Sequence, residues 1–295
     1  MPCSGSGRPL AACLLVALLF SFATLSCAVD DGGATSDMLE AAALGGGNDG
    51  GGVLADRYSF VSLVTSTDGP LCAGTLVAPR AVLTTAACAS GLLSAGLKPQ
   101  LVTVGAFNFY LDAFRRPGKY EVQKVQQVRL HPGWTLQDAR TNNLALLQLA
   151  QPSTKAPVPL AAATFAYPTA LSNATVFGYG SRGSDGVWPQ LHADQLTLLP
   201  DAQCRGLRAA YGPVPATQSQ ACTALSRVFR ACSKGNLGGP LLLPGPTGGA
   251  VLAGLLTDGF ACSDDPYVTS PNSPGLYEWL PQHAAWLQQQ LAALA

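Results

Sequence analysis

Few residues in this chain have the types and spacing that enzyme chemistry requires. The three histidines, His131, His192 and His283, lie far apart in the sequence. No Cys/His spacing typical of a zinc site and no phosphate-binding glycine loop occurs. The sequence therefore predicts no metal site and no cofactor.

One glycine-rich segment, residues 235–240, has the character of a functional turn. It follows Cys232, reads Gly-Asn-Leu-Gly-Gly-Pro and precedes the apolar run 241–243. Glycine turns of this kind occur where the backbone must approach another part of the molecule closely. Leu237 at its centre has no nucleophilic atom, so no neighbouring base could activate it.

Composition limits the classes of protein to which the chain can belong. At 295 residues and 48% hydrophobic content it can form one large all-β domain or two small ones. Lys+Arg and Asp+Glu are balanced at 17 each, so no overall field attracts nucleic acid or an anionic membrane. We expect neither as a partner.

The N-terminal region resembles a targeting segment. Arg8 precedes an apolar run over residues 10–25, and small residues follow at 26–28. This pattern predicts a signal peptide at residues 1–28, hence a secreted, extracellular protein. A membrane anchor is the alternative, but the run is short for a membrane span and has no basic stop-transfer flank.

Glycine clusters at 45–47 and 50–52 predict a flexible linker over residues 29–56. The folded domain is then expected at residues 57–295. After signal cleavage six cysteines remain, which predicts three disulfides in a secreted chain. They are Cys72, Cys88, Cys204, Cys222, Cys232 and Cys262. Six cysteines allow about fifteen pairings, and spacing alone does not choose among them.

Short apolar segments separated by Gly, Pro, Asn and Asp predict an all-β fold built from antiparallel strands. We expect strands at 60–65, 74–77, 81–85, 101–105, 122–130, 144–149, 174–179, 196–199 and 250–256. Ala284, Leu287, Leu291 and Leu294 recur at helical spacing, which predicts a C-terminal α-helix over residues 283–295.

Several of these segments, taken in order, resemble landmarks of the trypsin-like serine proteases. The turn at 235–240 is similar to that family's Gly-Asp-Ser-Gly-Gly-Pro signature. The other matching segments are 58–63, 72–77, 82–88, 142–147, 174–180 and 274–277. The resemblance covers residues 57–292 and depends on many landmarks in register.

The resemblance implies two antiparallel Greek-key β-barrels with a cleft between them, followed by the helix. The first barrel is expected at residues 57–165 and the second at 166–280. It also implies three disulfide pairs: Cys72 with Cys88, Cys204 with Cys222, and Cys232 with Cys262. Each such bond typically stabilises a secreted domain by about 2–4 kcal/mol.

The same comparison locates a degenerate catalytic triad. Ala87 occupies the position of the family's histidine, Asn143 that of its aspartate and Leu237 that of its serine. Nucleophile, base and orienting charge are all replaced, so the resemblance implies an inactive enzyme.

Other features of the family's active site have changed as well. Asn236 replaces the aspartate that pairs with the new N-terminus on activation, and no activation sequence precedes residue 53. The backbone amides of Gly235 and Leu237 are the remnant of an oxyanion hole. Arg230 lies near the floor of the specificity pocket, and Asp258, followed by Gly259, stands where a tryptophan lines the cleft.

No other residue is expected to replace the triad. Ser233 lies outside the glycine frame, His131 matches a structural His-Pro, and we interpret His192 and His283 as surface residues. Asn173 begins an Asn-Ala-Thr sequon and is a candidate glycosylation site. The scattered basic residues from Arg115 to Arg129 are interpreted as a solvated face.

Three functional hypotheses follow. The chain most resembles the glucanase inhibitor proteins of oomycete pathogens, which implies an inactive, monomeric homologue that binds an extracellular protein, such as a secreted host glucanase. The first alternative is an active trypsin-like endopeptidase. The second is a glycan-binding defence protein that uses its basic residues.

Overall fold

The short apolar segments form strands because aliphatic and β-branched side chains suit a buried pleated sheet. Glycine, proline and asparagine lie between these segments and form the turns. The computed structural model describes residues 55–66, 68–91, 96–108, 112–115, 117–138, 140–180, 190–210, 220–225, 231–232, 234–259 and 274–294. All of them belong to one compact unit, Gly33–Ala295.

Six antiparallel strands close into the first barrel. In chain order they are β1 (Val61–Ser66), β2 (Gly69–Ala78), β3 (Ala81–Thr84), β4 (Leu101–Val104), β5 (Glu121–Leu130) and β6 (Ala145–Leu149). Their order around the barrel is β1-β2-β3-β6-β5-β4. Side chains such as Val64, Leu76, Val82, Val102 and Leu147 fill its interior, each 0% exposed.

Six more strands form the sheet of the second barrel. They are β7 (Ser172–Gly178), β8 (His192–Leu198), β9 (Gln220–Cys222), β10 (Pro240–Pro244), β11 (Ala250–Gly259) and β12 (Gly275–Trp279), in the order β8-β7-β10-β11-β12-β9. A bridge between Leu198 and Thr223 joins its two outer strands at one end. Trp279 is fully buried and its ring packs against Tyr167, with the centroids 4.9 Å apart.

The described helices are short, and the first of them is buried. They are α1 (Ala86–Ala89), α2 (Asp112–Arg115), α3 (Asp201–Ala210) and α4 (Ala284–Ala292), with 3-10 turns at Lys234–Asn236 and Leu280–His283. Thr85 caps α1 by accepting a hydrogen bond from the Cys88 amide at 3.2 Å. α4 follows the last strand of the second barrel and packs Leu287 into the cluster that contains Leu83 and Leu144 of the first barrel.

The expected fold class is confirmed: the chain forms two antiparallel six-stranded β-structures and ends in a short α-helix. Each strand expected from the sequence overlaps an observed one. The helix begins at Ala284, directly after a 3-10 turn at Leu280–His283, and ends at Ala292. Ala55, which we assigned to the linker, is 0% exposed in the core. Within the described ranges, no helix is long and apolar enough to cross a membrane.

Two of the disulfides implied by the resemblance are present, Cys72–Cys88 and Cys204–Cys222. The first ties α1 to β2, and the second ties α3 to β9. Cys232 is also disulfide-bonded. Cys262, its implied partner, lies outside the described residues.

Candidate functional site

The three residues that the resemblance assigns to the triad lie where the two barrels meet. Ala87 is in α1, and Asn143 directly precedes β6. The Asn143 Oδ1 accepts a hydrogen bond from the Ala87 backbone N–H at 2.9 Å. Leu237 belongs to the second barrel, and its carbonyl accepts from the Ala73 N–H of β2 at 2.8 Å. The hydrogen bond between Ala73 and Leu237 therefore connects the two barrels next to these positions.

The side chains at these positions have no catalytic chemistry. Ala87 is 4% exposed and carries only a methyl group. Leu237 is 7% exposed and belongs to the apolar cluster that includes Leu241 and Leu256 of the second barrel. The Asn143 side-chain amide is uncharged, and its oxygen accepts a hydrogen bond from the backbone of α1. None of the three groups can act as a nucleophile or take up a proton near neutral pH.

The glycine-rich turn keeps its close backbone contacts. Gly238 has a φ of +82°, and a Cβ there would overlap the Ala73 carbonyl oxygen of β2. Its N–H donates to the Leu256 carbonyl at 2.7 Å, and the Leu256 N–H donates to the Gly239 carbonyl at 2.9 Å. These contacts leave room only for glycine at position 238.

Asn236 is buried and serves the structure of this turn. Its Oδ1 accepts the Gly180 N–H at 2.6 Å, and it is 3% exposed. The Gly235 carbonyl accepts the Tyr179 N–H at 3.0 Å. A Cβ at Gly178 would overlap Asn236, which explains the glycine at the end of β7. Asn236 thus ties the turn to the end of β7.

An ion pair joins the two barrels at Asp258, which the resemblance assigns to the cleft. The Arg140 Nε lies 3.1 Å from the Asp258 Oδ2 on β11, and the Arg140 carbonyl accepts from the Gln220 Nε2 at 2.6 Å. The Gly259 N–H bonds the other Asp258 oxygen at 2.8 Å. An exposed pair of this kind contributes about 0–1 kcal/mol, so it shapes the cleft more than it stabilises the fold. Arg230, the other residue assigned to this pocket, lies outside the described residues.

The sequence analysis missed a buried polar cluster next to Asn143. Glu278 of β12 is 0% exposed; its Oε2 accepts the Asn143 N–H at 3.3 Å and its Oε1 lies 2.7 Å from the His283 Nε2. The interpretation of His283 as a surface residue is wrong, because the residue is 5% exposed. One signal could have revealed the cluster: Glu278 is the single charge in an apolar strand, and buried carboxylates are almost always paired.

Of the remaining candidate residues, His131 adjoins this cluster, with its Nε2 3.4 Å from the His283 Nδ1, whereas His192 and Asn173 lie on β8 and β7. His131 is partly buried; burial and the neighbouring His283 lower its pKa from 6.5 to about 4. His192, on β8, is half-buried rather than exposed, and burial lowers its pKa. Asn173 is exposed on β7. Within the described ranges, no group of three or more His, Cys, Asp or Glu residues could hold a metal ion.

Comparison with known proteins agrees with this architecture. A family profile described as Trypsin matches residues 49–286. Over 233 residues the chain is 30% identical to serine protease 56 of Homo sapiens, covering 76% of this chain but 35% of that protein. It is 27% identical to a trypsin of Saccharopolyspora erythraea over 81% of this chain and 94% of that one. It is 26% identical to serine protease sp-Eoc49 of Echis ocellatus, covering 82% of this chain and 86% of that protein.

Proposed function

Because the chain belongs to the trypsin family, we propose that it is a secreted, catalytically inactive member that acts as a protein-binding or inhibitor module. Secretion is supported by the two disulfides, which persist in oxidising compartments, and agrees with the predicted signal peptide. The protein would act as a monomer without a cofactor.

The observation that carries this proposal is the environment of Leu237. Its side chain belongs to an apolar cluster of the second barrel, and its carbonyl is bound by the Ala73 N–H. Acyl transfer requires an activated oxygen or sulfur nucleophile, and losing the nucleophile alone removes about a millionfold in rate in enzymes of this kind. Ala87 offers no base that another hydroxyl could use instead.

The hydrogen bonds of Asn143 and Asn236 support a structural role for these two side chains. The Asn143 amide holds the Ala87 backbone, and Asn236 holds the turn against Gly180. An aspartate in a working triad instead orients a histidine and stabilises its charged form. In this chain Leu237 and Asn143 bond across the barrel interface, to Ala73 and Glu278, and surface loops on such a scaffold can serve recognition.

For the partner, we propose a secreted hydrolase such as a host glucanase, on the resemblance to glucanase inhibitor proteins. A rigid two-barrel scaffold can present loops to a protein surface without any catalytic step. The second candidate function is extracellular proteolysis, because the relatives are named as serine proteases.

A fluorophosphonate probe distinguishes these two functions. The purified, disulfide-intact protein is expected to remain unlabelled under conditions in which an active trypsin is labelled stoichiometrically, because Leu237 offers no oxygen to the probe. Labelling is measured by intact-protein mass. Stoichiometric labelling that maps to a serine would refute inactivity, and Ser233→Ala would then test the serine nearest to the turn.

Inhibition assays test the partner separately. Secreted endo-β-glucanases are titrated with the protein, and a decrease in hydrolysis that saturates at equimolar protein is expected. Serum albumin at the same concentration controls for nonspecific loss of enzyme. If every glucanase keeps full activity, the proposed partner is wrong, whereas the proposal of inactivity still depends on the probe.

Asn173 is expected to carry an N-linked glycan when the protein passes through a eukaryotic secretory pathway. The side chain is exposed on β7, so a glycan meets no steric obstacle from the sheet. Digestion with peptide N-glycosidase should lower the mass of the wild-type protein and leave Asn173→Gln unchanged. Equal masses before and after digestion of the wild-type protein would contradict this prediction.

A further inference from the structure

A cavity of about 530 Å³ lies beside the second barrel, apart from the segments that carry the triad positions. Its lining residues come from three segments, 163–169 before β7, 200–205 at the start of α3, and 279–282 at the end of β12 and in the 3-10 turn. All of them belong to the described ranges. Small-molecule sites typically have volumes of about 300–1,000 Å³, so this cavity is large enough for a ligand. We name it the α3 cavity.

Aromatic side chains form one wall of the α3 cavity. The Tyr167 ring packs against the Trp279 ring, with the centroids 4.9 Å apart, and the Phe165 centroid lies 6.2 Å from that of the same indole. The Tyr167 hydroxyl donates to the Leu199 carbonyl at 2.9 Å, which fixes the ring. Trp279 is buried, whereas Phe165 and Tyr167 are half-buried. This wall is therefore preorganised for a ligand with a flat apolar face.

Polar side chains of every hydrogen-bonding kind border the same cavity. Asp201 and Arg205, one turn apart on α3, form an ion pair, and Gln282 is exposed on the 3-10 turn. The Asp201 carboxylate accepts hydrogen bonds, the Arg205 guanidinium donates them, and the Gln282 amide does both. Among the described residues, Arg205 has no side-chain partner besides Asp201, and the Gln282 side chain has none. These groups are therefore available to a ligand in the cavity.

A neutral saccharide matches this combination of walls. One face of a pyranose ring presents C–H groups, which pack against aromatic rings, and its edge carries hydroxyls that both donate and accept hydrogen bonds. A purely apolar ligand would cover Asp201 and Arg205 without making hydrogen bonds to them, which costs free energy. An anionic ligand would be repelled by the Asp201 carboxylate, which already pairs with the only guanidinium among the lining residues.

We propose that the α3 cavity binds a neutral mono- or disaccharide. The sugar ring packs against Phe165 and Tyr167, and its hydroxyls bond to Asp201, Arg205 and Gln282. Binding at this site goes beyond the proposed inhibitor function and does not depend on catalytic inactivity, because none of the lining residues belongs to the segments that carry the triad positions.

Isothermal titration calorimetry of the purified, disulfide-intact protein tests this proposal. The probes are glucose, cellobiose, laminaribiose and N,N′-diacetylchitobiose, each taken to tens of millimolar. Saturable binding of at least one probe at a single site is expected. Asp201→Ala removes a charged acceptor and should weaken this binding by about tenfold or more, and Gln282→Ala should weaken it by about two- to tenfold. Gln203→Ala, which changes an exposed glutamine of α3 outside the cavity, should bind like the wild type.

A third variant separates saccharide stacking from general apolar binding. Phe165→Leu keeps an apolar side chain but removes the aromatic face, so the affinity should fall by about two- to tenfold. If this variant does not fold, Asp201→Ala and Gln282→Ala decide, because they change side chains at the surface.

Three results would overturn the saccharide site. The first is that no probe binds saturably to the wild type. The second is unchanged affinity in any folded variant of Phe165, Asp201 or Gln282. The third is binding of octaproline in place of the saccharides, lost in Phe165→Leu, because aromatic grooves also accept proline-rich segments of proteins.

Discussion

Replacing Glu278 by alanine is expected to lower the free energy of unfolding by about 2–6 kcal/mol. The substitution leaves the His283 Nε2–H and the Asn143 N–H without their acceptor, and each buried donor left unsatisfied costs about 1–3 kcal/mol. The residue is 0% exposed, so water has no direct access to replace the carboxylate. Urea denaturation at neutral pH measures the change.

The matched variant Glu278→Gln keeps the shape of the side chain and one acceptor oxygen. It can satisfy one of the two donors, so we expect about half of the destabilisation seen with alanine. If both variants are as stable as the wild type, Glu278 is not the buried acceptor that joins the barrels. Equal and large losses in both would show that the charge, rather than the number of acceptors, is what matters.

Replacing Gly238 by alanine is expected to destabilise the protein by about 2–5 kcal/mol. A φ of +82° costs a residue with a Cβ about 1–2 kcal/mol, and overpacking of a tight contact costs about 1–3 kcal/mol more. The new methyl group would overlap the Ala73 carbonyl oxygen and approach the Thr84 hydroxyl. Since both lie in the first barrel, the strain falls on the interface between the barrels.

Gly249→Ala provides the control for Gly238→Ala. A Cβ at Gly249 meets no atom within 4 Å, so this variant should change the free energy of unfolding by less than about 1 kcal/mol. Thermal and urea unfolding of the two variants are compared with the wild type. If Gly238→Ala matches Gly249→Ala, the turn is free to move away from β2, and its close approach to that strand is not required for folding.

The all-β class could be predicted from local patterns in the sequence, whereas the two-barrel arrangement was implied by the family resemblance. Strand positions follow from apolar runs of four to ten residues bounded by glycine and proline, because such runs suit a buried pleated sheet. The C-terminal helix was predicted to start at residue 283, one residue before its observed start at Ala284. Pro281 favours the 3-10 turn that precedes α4, and periodicity does not detect such a turn.

That residue 237 is a leucine rather than a nucleophile could also be read from the sequence, because the segment 235–240, which resembles the family signature, is contiguous. The packing of the Leu237 side chain could not be read from the sequence. Its inclusion in the apolar cluster of the second barrel depends on Leu241, Leu256 and Ala231, which come from different segments. Residue type at that position excludes a nucleophile, whereas packing decides what the side chain does instead.

By itself the sequence determined the all-β class, the positions of most strands and the residue types at 87, 143 and 237, since these depend on neighbours along the chain or on short signatures. Only the tertiary structure decided which polar groups meet. Asn143 and Glu278 are 135 residues apart, Arg140 and Asp258 are 118 apart, and His131 and His283 are 152 apart. The spacing of these residues along the sequence does not indicate such pairs, because barrel closure and the packing of α4 against the first barrel bring them together. The physical reason is burial: once Glu278 is enclosed between the barrels, its charge requires donors, and the fold supplies them from distant segments.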